Sequence, residues 1–120
     1  MNFKIVSPIL GFDSIDEVTY SKVDDFFSTL EKEGISFTLI DPSRLREYVF
    51  EIPLFYKNLL KIEEGDDLKV YTLVIVHSDI EKSTINFAAP LLLNYTKGLL
   101  AQVALDDANF GMAELISEYL

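Results

Sequence analysis

The chain has 120 residues, a length that suits one domain spanning residues 1–120, and 49% of them are apolar, including nine Phe and six Tyr. This composition predicts a folded core and excludes a disordered chain. The absence of cysteine excludes disulfides, thiolate catalysis and cysteine metal sites, and a formal net charge of −10 argues against direct binding to nucleic acid or to anionic membranes.

The acidic charge is concentrated in three segments. The stretch from Asp13 to Asp25 has five acids against one Lys, four more acids surround Gly65, and no basic residue follows Lys97. An acidic surface attracts a basic protein partner and raises its encounter rate. The simpler interpretation is that the charge only keeps the protein in solution. Both interpretations stay open at this point.

Nothing in the sequence resembles a targeting signal or a membrane span. The N-terminus has one Lys and a short apolar stretch broken by Ser7, Pro8 and Gly11, which is unlike a secretory signal peptide. The apolar run at residues 73–76 is far shorter than the roughly 20 residues that a membrane helix needs. We therefore expect a cytoplasmic protein.

The N-terminal third predicts strands with one helix between them. Residues 2–6 alternate apolar and polar side chains and predict a first strand, and residues 17–21 predict a second. Apolar residues at helical spacing then predict an amphipathic helix that ends near Gly34. Residues 35–40 are rich in β-formers and predict a third strand. The residues that define the helix are Val23, Phe26, Phe27 and Leu30.

The middle of the chain predicts a turn, a strand and a short helix. Asp41-Pro42-Ser43 is typical of a turn, because Pro fixes φ and the Asp side chain bonds the backbone beyond it. Residues 47–52 predict a strand. Pro53 is suited to begin a helix anchored by Leu54, Leu59 and Leu60, since the first helical position needs no N–H.

The next segment predicts strands in succession. Residues 68–77 centre on an apolar run that indicates burial on both faces of the strand. Residues 83–89 alternate and predict another strand, which residues 91–95 continue. Pro90 between them indicates a sheet edge or a bend.

The C-terminal part predicts a hairpin and a final helix. Thr96-Lys97-Gly98 is a hairpin signal, and residues 99–105 predict the returning strand. Met112, Leu115, Ile116 and Tyr119 recur at helical spacing. Connections between the last strands are too short for parallel crossovers. The sequence therefore predicts a mainly β fold: a small antiparallel β-barrel or sandwich with two or three short helices.

No residue pattern is typical of an active site. His77 is the single histidine, and a lone histidine is more often structural than a ligand or a catalytic base. There is no helical His pair and no Gly-rich phosphate loop. We therefore expect no enzymatic activity and no metal or cofactor.

Two acidic clusters have a functional and a structural interpretation. The turn Glu63–Asp67 is suited to weak Ca²⁺ binding, but it lacks the spacing of an EF-hand, and a solvated turn is favoured. Asp106 and Asp107 are candidates for acid–base chemistry. Neighbours on a strand point to opposite faces, so we expect one to cap the turn at Ala108 and Asn109 and the other to be free for a partner.

Three stretches resemble one known family. They are residues 8–12 (PILGF), residues 39–54 (LIDPSRLREYVFEIPL) and residues 83–107 (STINFAAPLLLNYTKGLLAQVALDD). In order and spacing they are similar to the flagellar assembly factor FliW family, and most similar to its Campylobacter and Helicobacter branch. The positions that we expect at partner interfaces from this resemblance are Asp41, Pro42, Glu51, Asn86, Pro90, Asn94, Gln102, Asp106 and Asp107.

The resemblance implies a small antiparallel barrel that is a monomer when free and binds two protein partners. One is flagellin, bound through its terminal helical region before export. The other is CsrA, a basic RNA-binding homodimer that represses translation of flagellin messenger RNA. FliW-like proteins antagonise CsrA non-competitively, by binding away from its RNA surface. The alternative is a dedicated flagellin export chaperone that does not bind CsrA.

Overall fold

The computed structural model describes residues 1–119, in which eight strands and one short α-helix carry the regular structure, together with three 3₁₀ helices. No helix among these residues is long and apolar enough to cross a membrane. The strands are β1 (Asn2–Ser7), β2 (Glu17–Lys22), β3 (Phe27–Lys32), β4 (Ile35–Ile40), β5 (Leu68–Ile75), β6 (Thr84–Asn94), β7 (Leu99–Gln102) and β8 (Glu114–Leu115). The helix is α1 (Leu54–Leu59), and the 3₁₀ helices are Pro42–Arg44, Ile80–Lys82 and Ile116–Glu118.

Seven of the strands close into a barrel. Their order is β5-β4-β3-β2-β1-β7-β6, and β6 pairs back with β5 while β8 adds to the outer end of β6. The described pairs are antiparallel except β1 with β7, which are parallel. The predicted mainly β barrel with few short helices is confirmed, with this one parallel pair as the exception.

The barrel core follows from alternation along the strands. In β1, Phe3 and Ile5 are buried while Asn2 and Lys4 are exposed. Burial of each large apolar side chain contributes about 1.5–3 kcal/mol. β6 differs because Leu91, Leu92 and Leu93 are all buried. Leu91 and Leu93 pack in the core with Phe3, whereas Leu92 packs in a second cluster with Leu60 at the end of α1.

The predicted helix through Val23 and Leu30 is wrong, because residues 27–32 form β3. The segment pairs with β2 on one side and β4 on the other. In the turn between β2 and β3, the carboxylate of Asp24 accepts hydrogen bonds from the backbone N–H groups of Phe26 and Phe27, both at 2.8 Å. These bonds lower the pKa of Asp24. Val23 is 62% exposed and Phe26 is 52% exposed, so they contribute no helical apolar face. The strands predicted at residues 2–6, 17–21 and 35–40 are confirmed.

The strand predicted at residues 47–52 is also wrong. The segment lies on the barrel without pairing into the sheet, and its half-buried side chains alternate with exposed ones. Tyr48 donates a hydrogen bond from its hydroxyl to the carbonyl of Phe87. We name residues 47–52 the strap. Its apolar–polar alternation arises because every second side chain packs on the barrel, and not because the segment is a strand. The helix after Pro53 is confirmed, but its anchor is the fully buried Leu60, and Leu54 is exposed.

The C-terminal helix is the third wrong prediction. Met112 and Leu115 are exposed, and residues 114–115 pair with Ile85 and Thr84 as β8. Gly111 makes this possible, because a Cβ atom there would lie 2.8 Å from the Glu114 side chain, whose carboxylate accepts the Gly111 N–H at 2.6 Å. A 3₁₀ helix, Ile116–Glu118, follows.

The strands predicted from residue 68 to residue 105 are confirmed as β5, β6 and β7, although their ends differ from the prediction. β5 stops at Ile75, and β7 stops at Gln102. β6 is one continuous strand, and its register with β5 shifts between the pairs Tyr71–Leu91 and Leu73–Asn86. Pro90 lies inside this shift, so the bend predicted there is confirmed. The hairpin signal before β7 is confirmed as well.

Candidate partner-binding surfaces

Asn94, one of the positions that carry the family resemblance, is fully buried at the end of β6. Its Nδ2 donates to the carbonyl of Leu60 at 3.1 Å and to the Asp66 carboxylate at 2.9 Å, and its Oδ1 accepts from the Lys97 N–H at 3.3 Å. The side chain thus ties α1, the acidic turn and the β6–β7 hairpin together. These three internal hydrogen bonds give Asn94 a structural role.

The acidic turn Glu63–Asp67 is closed by a lysine. Lys97 Nζ lies 2.6 Å from the carboxylate of Asp66 and 3.0 Å from that of Glu63. The Lys97 hydrogen bond is the main cause that lowers the pKa of Asp66 from 3.8 to about 2, and the same bond raises the pKa of Lys97. The Asp66 oxygen also accepts the N–H of Glu63 at 3.0 Å. These partners favour the structural interpretation of the turn over a cation site.

Gln102 and Asn86 fasten the loop at residues 8–12 and the irregular part of β6. Gln102 Oε1 accepts the Leu10 N–H at 2.7 Å, and its Nε2 donates to the Ala89 carbonyl at 3.0 Å. Asn86 Oδ1 accepts the N–H groups of Ala88 and Ala89, both at 3.1 Å. Pro90, the next residue, is buried. These family-motif residues shape the barrel wall, and their predicted partner contacts stay a prediction.

Asp41 and Pro42 build the turn after β4. Asp41 Oδ1 accepts the Ser43 N–H at 3.0 Å and the Ser43 hydroxyl at 2.6 Å, and it caps the 3₁₀ helix that Pro42 begins. Pro42 is buried while Asp41 is partly exposed. The predicted turn chemistry is confirmed, and a partner contact at these two residues stays a prediction.

The three remaining positions, Glu51, Asp106 and Asp107, come together on the surface, and we name them the acidic ledge. They line one open pocket of about 310 Å³ together with apolar residues. The exposed apolar side chains of Val49, Leu54 and Phe55 occur in the same strap and helix as Glu51. The other residues of the pocket are Phe50, Pro53, Ala104, Leu105 and Phe110.

Within the ledge, Asp106 and Asp107 differ as expected, although for another reason. Asp107 accepts the Asn109 N–H at 2.9 Å and caps the turn, whereas Asp106 is exposed and its side chain has no hydrogen bond within residues 1–119. Both residues lie beyond the end of β7 at Gln102. Strand alternation therefore does not decide which of them is free; the local turn does.

A C-terminal clasp, residues 110–119 held by Arg46, borders the ledge. The Arg46 guanidinium carbon lies 5.3 Å from the ring centroid of Phe87, 5.2 Å from that of Phe110 and 6.0 Å from that of Tyr119. Its Nη1 lies 3.8 Å from the carboxylate of Glu114. No local sequence pattern predicts this arrangement, because its members are far apart along the chain.

A second surface, which we name the apolar groove, opens where β4 and β5 part. Their pairing stops at Thr38 with Val74. Its volume is about 560 Å³, within the range of roughly 300–1,000 Å³ that is usual for binding pockets. Sequence reasoning missed this surface. It is lined by Ile9, Leu10, Phe12, Ile35, Ser36, Phe37, Thr38, Leu73, Val74, Ile75, Val76, Thr84, Asn86 and Met112.

Among residues 1–119, no group of three His, Cys, Asp or Glu side chains is arranged to hold a metal ion. His77 is exposed, and its Nδ1 accepts the Asp79 N–H at 3.0 Å. The histidine thus takes part in a turn of the chain. The acidic ledge, with its exposed carboxylates, and the apolar groove are the candidate partner-binding surfaces.

Comparisons with known proteins show which family this chain resembles. The model of the FliW protein family matches residues 1–116. The chain is 41% identical to flagellar assembly factor FliW 2 of Wolinella succinogenes, over 99% of this chain and 92% of the relative. It is 36% identical to flagellar assembly factor FliW of Helicobacter pylori strain G27, over 100% of this chain and 95% of the relative.

The fold agrees with a solved structure. A crystal structure of the flagellar assembly factor FliW superimposes with a TM-score of 0.85 at 23% sequence identity, covering 95% of this chain and 84% of that chain. The resemblance read from residues 8–12, 39–54 and 83–107 is confirmed. This chain belongs to the FliW family of flagellar assembly factors.

Proposed function

We propose that this protein is a cytoplasmic regulator that binds flagellin and CsrA and acts by binding, without enzymatic activity. On this proposal it antagonises CsrA repression of flagellin messenger RNA translation non-competitively, from a site away from the RNA surface of CsrA. Flagellin and CsrA compete for the protein, so that the flagellin level feeds back on flagellin synthesis. The observation that carries the proposal is the family match over residues 1–116.

The acidic ledge supports the CsrA half of the proposal. CsrA is basic, and the carboxylates of Glu51 and Asp106 line the same pocket as the apolar side chains of Phe50 and Leu105. Opposite charge at the rim of an interface steers association, and an apolar centre supplies most of the affinity. The three carboxylates of the ledge are solvent-exposed, and Asp107 caps the turn that carries it.

The ledge is tested by single carboxylate replacements. Asp106→Ala is expected to weaken CsrA binding several-fold and to leave the melting temperature unchanged, because the Asp106 side chain makes no internal hydrogen bond. Asp107→Ala is expected to lower stability by about 0.5–2 kcal/mol, the usual effect of removing a backbone cap. Asp13→Ala, an exposed carboxylate outside the ledge, is the control. Equal CsrA binding by Asp106→Ala, Glu51→Ala and the parent would remove the ledge from the proposal.

The competition is tested by displacement. A complex of the protein with its cognate CsrA is titrated with the terminal segment of flagellin, and CsrA release is followed by size-exclusion chromatography. We expect saturating flagellin segment to release CsrA. Stable co-elution of all three proteins contradicts the feedback proposal. Flagellin binding with no CsrA binding at all would favour the alternative, a dedicated export chaperone.

A further inference from the structure

The apolar groove lies between β4 and β5, at the end where these two strands are no longer paired. β4 remains paired with β3 as far as Ile35, and β5 remains paired with β6 as far as Ile75. Their mutual pairing ends at Thr38 with Val74. The sides of residues 35–37 and 75–76 that face the groove therefore carry backbone N–H and C=O groups without a strand partner in the described chain.

No charged side chain and no proline occurs on these edges at residues 35–37 and 75–76. Native edge strands are blunted by charged side chains, proline or a covering segment. Here Ile35, Phe37, Ile75 and Val76 border the opening, and Ile75 is 74% exposed. Leu10 and Met112 add exposed apolar surface at 74% and 65%. Exposed apolar side chains that cluster around one opening offer contact area to a binding partner.

The charge around the groove restricts what it can hold. The lining contains no charged side chain, so a charged segment inside would be desolvated without a partner. The segments that adjoin the lining, residues 11–16, 33–34 and 77–81, contain five carboxylates and no Lys or Arg, with Lys32 and Lys82 just outside them. An occupant complementary to this pattern is apolar and uncharged in its centre and basic at its ends.

We propose that the apolar groove binds an extended segment of a partner protein, apolar in the centre and basic at its ends, as a strand added between β4 and β5. The added strand hydrogen-bonds to the free edges at residues 35–37 and 75–76, while its alternate side chains enter the groove. This goes beyond the proposed function, because it does not depend on CsrA binding at the acidic ledge. It concerns a separate surface and a different recognition mode.

An extended occupant fits better than a helix. A helix satisfies its own backbone hydrogen bonds and would leave both strand edges unpaired. The shape of the opening, with one edge on either side, matches β-augmentation, in which main-chain bonds give affinity and alternate side chains give specificity. Phe12 supports the geometry, because its ring packs edge-on against Phe37 with centroids 4.8 Å apart and so fixes one wall.

The test uses the intact protein and synthetic peptides of about ten residues, with alternating Val, Ile and Thr in the centre and two Lys at each end. Binding is measured by fluorescence anisotropy. Matched peptides with Glu in place of Lys, and peptides N-methylated at alternate central amides, are measured beside them. We expect saturable binding of the Lys-flanked peptides, weakened at least tenfold by Glu flanks or by N-methylation.

Two protein variants of matched chemistry localise the binding. Ile75→Lys places a charge on the β5 edge, and Leu54→Lys makes the same change at a similarly exposed residue of α1. We expect Ile75→Lys to weaken peptide binding at least tenfold and Leu54→Lys to leave it unchanged. Both variants should keep the parent melting temperature. Amide hydrogen exchange should show new protection at residues 35–37 and 75–76 when the peptide is bound.

Four outcomes would contradict strand addition by a partner segment at the apolar groove. Absence of binding across the peptide set, or equal weakening by both variants, would overturn the proposal. Peptide binding that shifts the lining methyl groups without protecting residues 35–37 and 75–76 would show a helical or irregular occupant instead. Concentration-dependent dimerisation that Ile75→Lys abolishes, without peptide binding, would identify the occupant as a second copy of this chain.

Discussion

Asn94 makes hydrogen bonds that an apolar replacement cannot make. Its amide reaches the carbonyl of Leu60 and the carboxylate of Asp66 from a fully buried position. Asn94→Ala leaves these acceptors short of a donor, and a buried polar group without its partner costs about 1–3 kcal/mol. We expect the free energy of unfolding to fall by that amount, measured by urea denaturation.

The control for this change is Asn58→Ala in α1, where the asparagine is exposed. Surface substitutions of this kind usually stay within about 0.5 kcal/mol. If Asn94→Ala unfolds at the same urea concentration as Asn58→Ala, the buried amide contributes nothing to the stability of the hairpin end.

Asp66 predicts an acid-sensitive step in stability. Its pKa falls from 3.8 to about 2 in the folded protein, chiefly through the hydrogen bond from Lys97. Because the folded pKa lies below the unfolded one, this stabilisation is fully present above about pH 4 and is lost as the pH falls towards 2. The parent should therefore lose more unfolding free energy over that interval than Asp66→Asn, as measured by urea denaturation at each pH. Parallel curves for the two proteins would contradict this.

At the scale of elements, Arg46 contacts several side chains that hold the C-terminal clasp against the barrel. Its guanidinium is enclosed by Phe87, Phe110 and Tyr119 and faces the Glu114 carboxylate. Arg46→Ala removes these contacts, and we expect a loss of about 1–2 kcal/mol, as for a partly desolvated cation–π contact. Hydrogen exchange at the amides of Gly111 and Ile116 should accelerate.

Arg44→Ala is the matched comparison, because Arg44 also lies over an aromatic ring, that of Phe26, but at the surface. Its effect should stay within about 0.5 kcal/mol. Unchanged exchange at Gly111 and Ile116 in Arg46→Ala would show that β8 pairing alone closes the clasp.

The elements that could be predicted are those whose signal is local. The alternation in residues 2–6, the Asp41-Pro42 turn and the helix after Pro53 all form as expected. The element at residues 27–32 could not be predicted, because Phe27 and Leu30 fit a helical spacing as well as a strand, and pairing with β2 and β4 decides between them. Tertiary contacts outweigh local propensity there.

The candidate surfaces divide in the same way. The resemblance pointed to Glu51, Asp106 and Asp107, and the fold brings these three residues together. It also pointed to Asn94 and Gln102, but the side chains of these two residues form hydrogen bonds within the protein itself. The apolar groove could not be predicted, because it exists only where two strands distant in sequence separate, and no local pattern encodes that separation.

At the scale of the whole molecule, the two candidate surfaces lie at different strands of the closed barrel. The parallel pairing of β1 with β7 joins the two ends of the chain into one wall. β6 pairs with β5 along most of its length, and also with β8 at Thr84 and Ile85 and with β7 at residues 91–94. The acidic ledge follows β7, whereas the apolar groove lies at the opening of β4 and β5. Two surfaces that share no lining residue allow two recognition modes on one small barrel.

The net charge of −10 belongs to the molecule as a whole, and it predicts how a basic partner approaches. If CsrA binds as proposed, long-range attraction should raise the association rate more than it slows dissociation. Between about 0.01 M and 1 M salt the Debye length falls from about 30 Å to about 3 Å, so most of this attraction is screened.

We expect the association rate, measured by stopped-flow fluorescence, to fall at least tenfold over that interval, while the dissociation rate changes much less. Glu51→Gln combined with Asp106→Asn should flatten the salt dependence, whereas Asp13→Asn, outside the ledge, should have a smaller effect. An association rate that is the same at both salt concentrations would show that the acidic charge serves solubility alone.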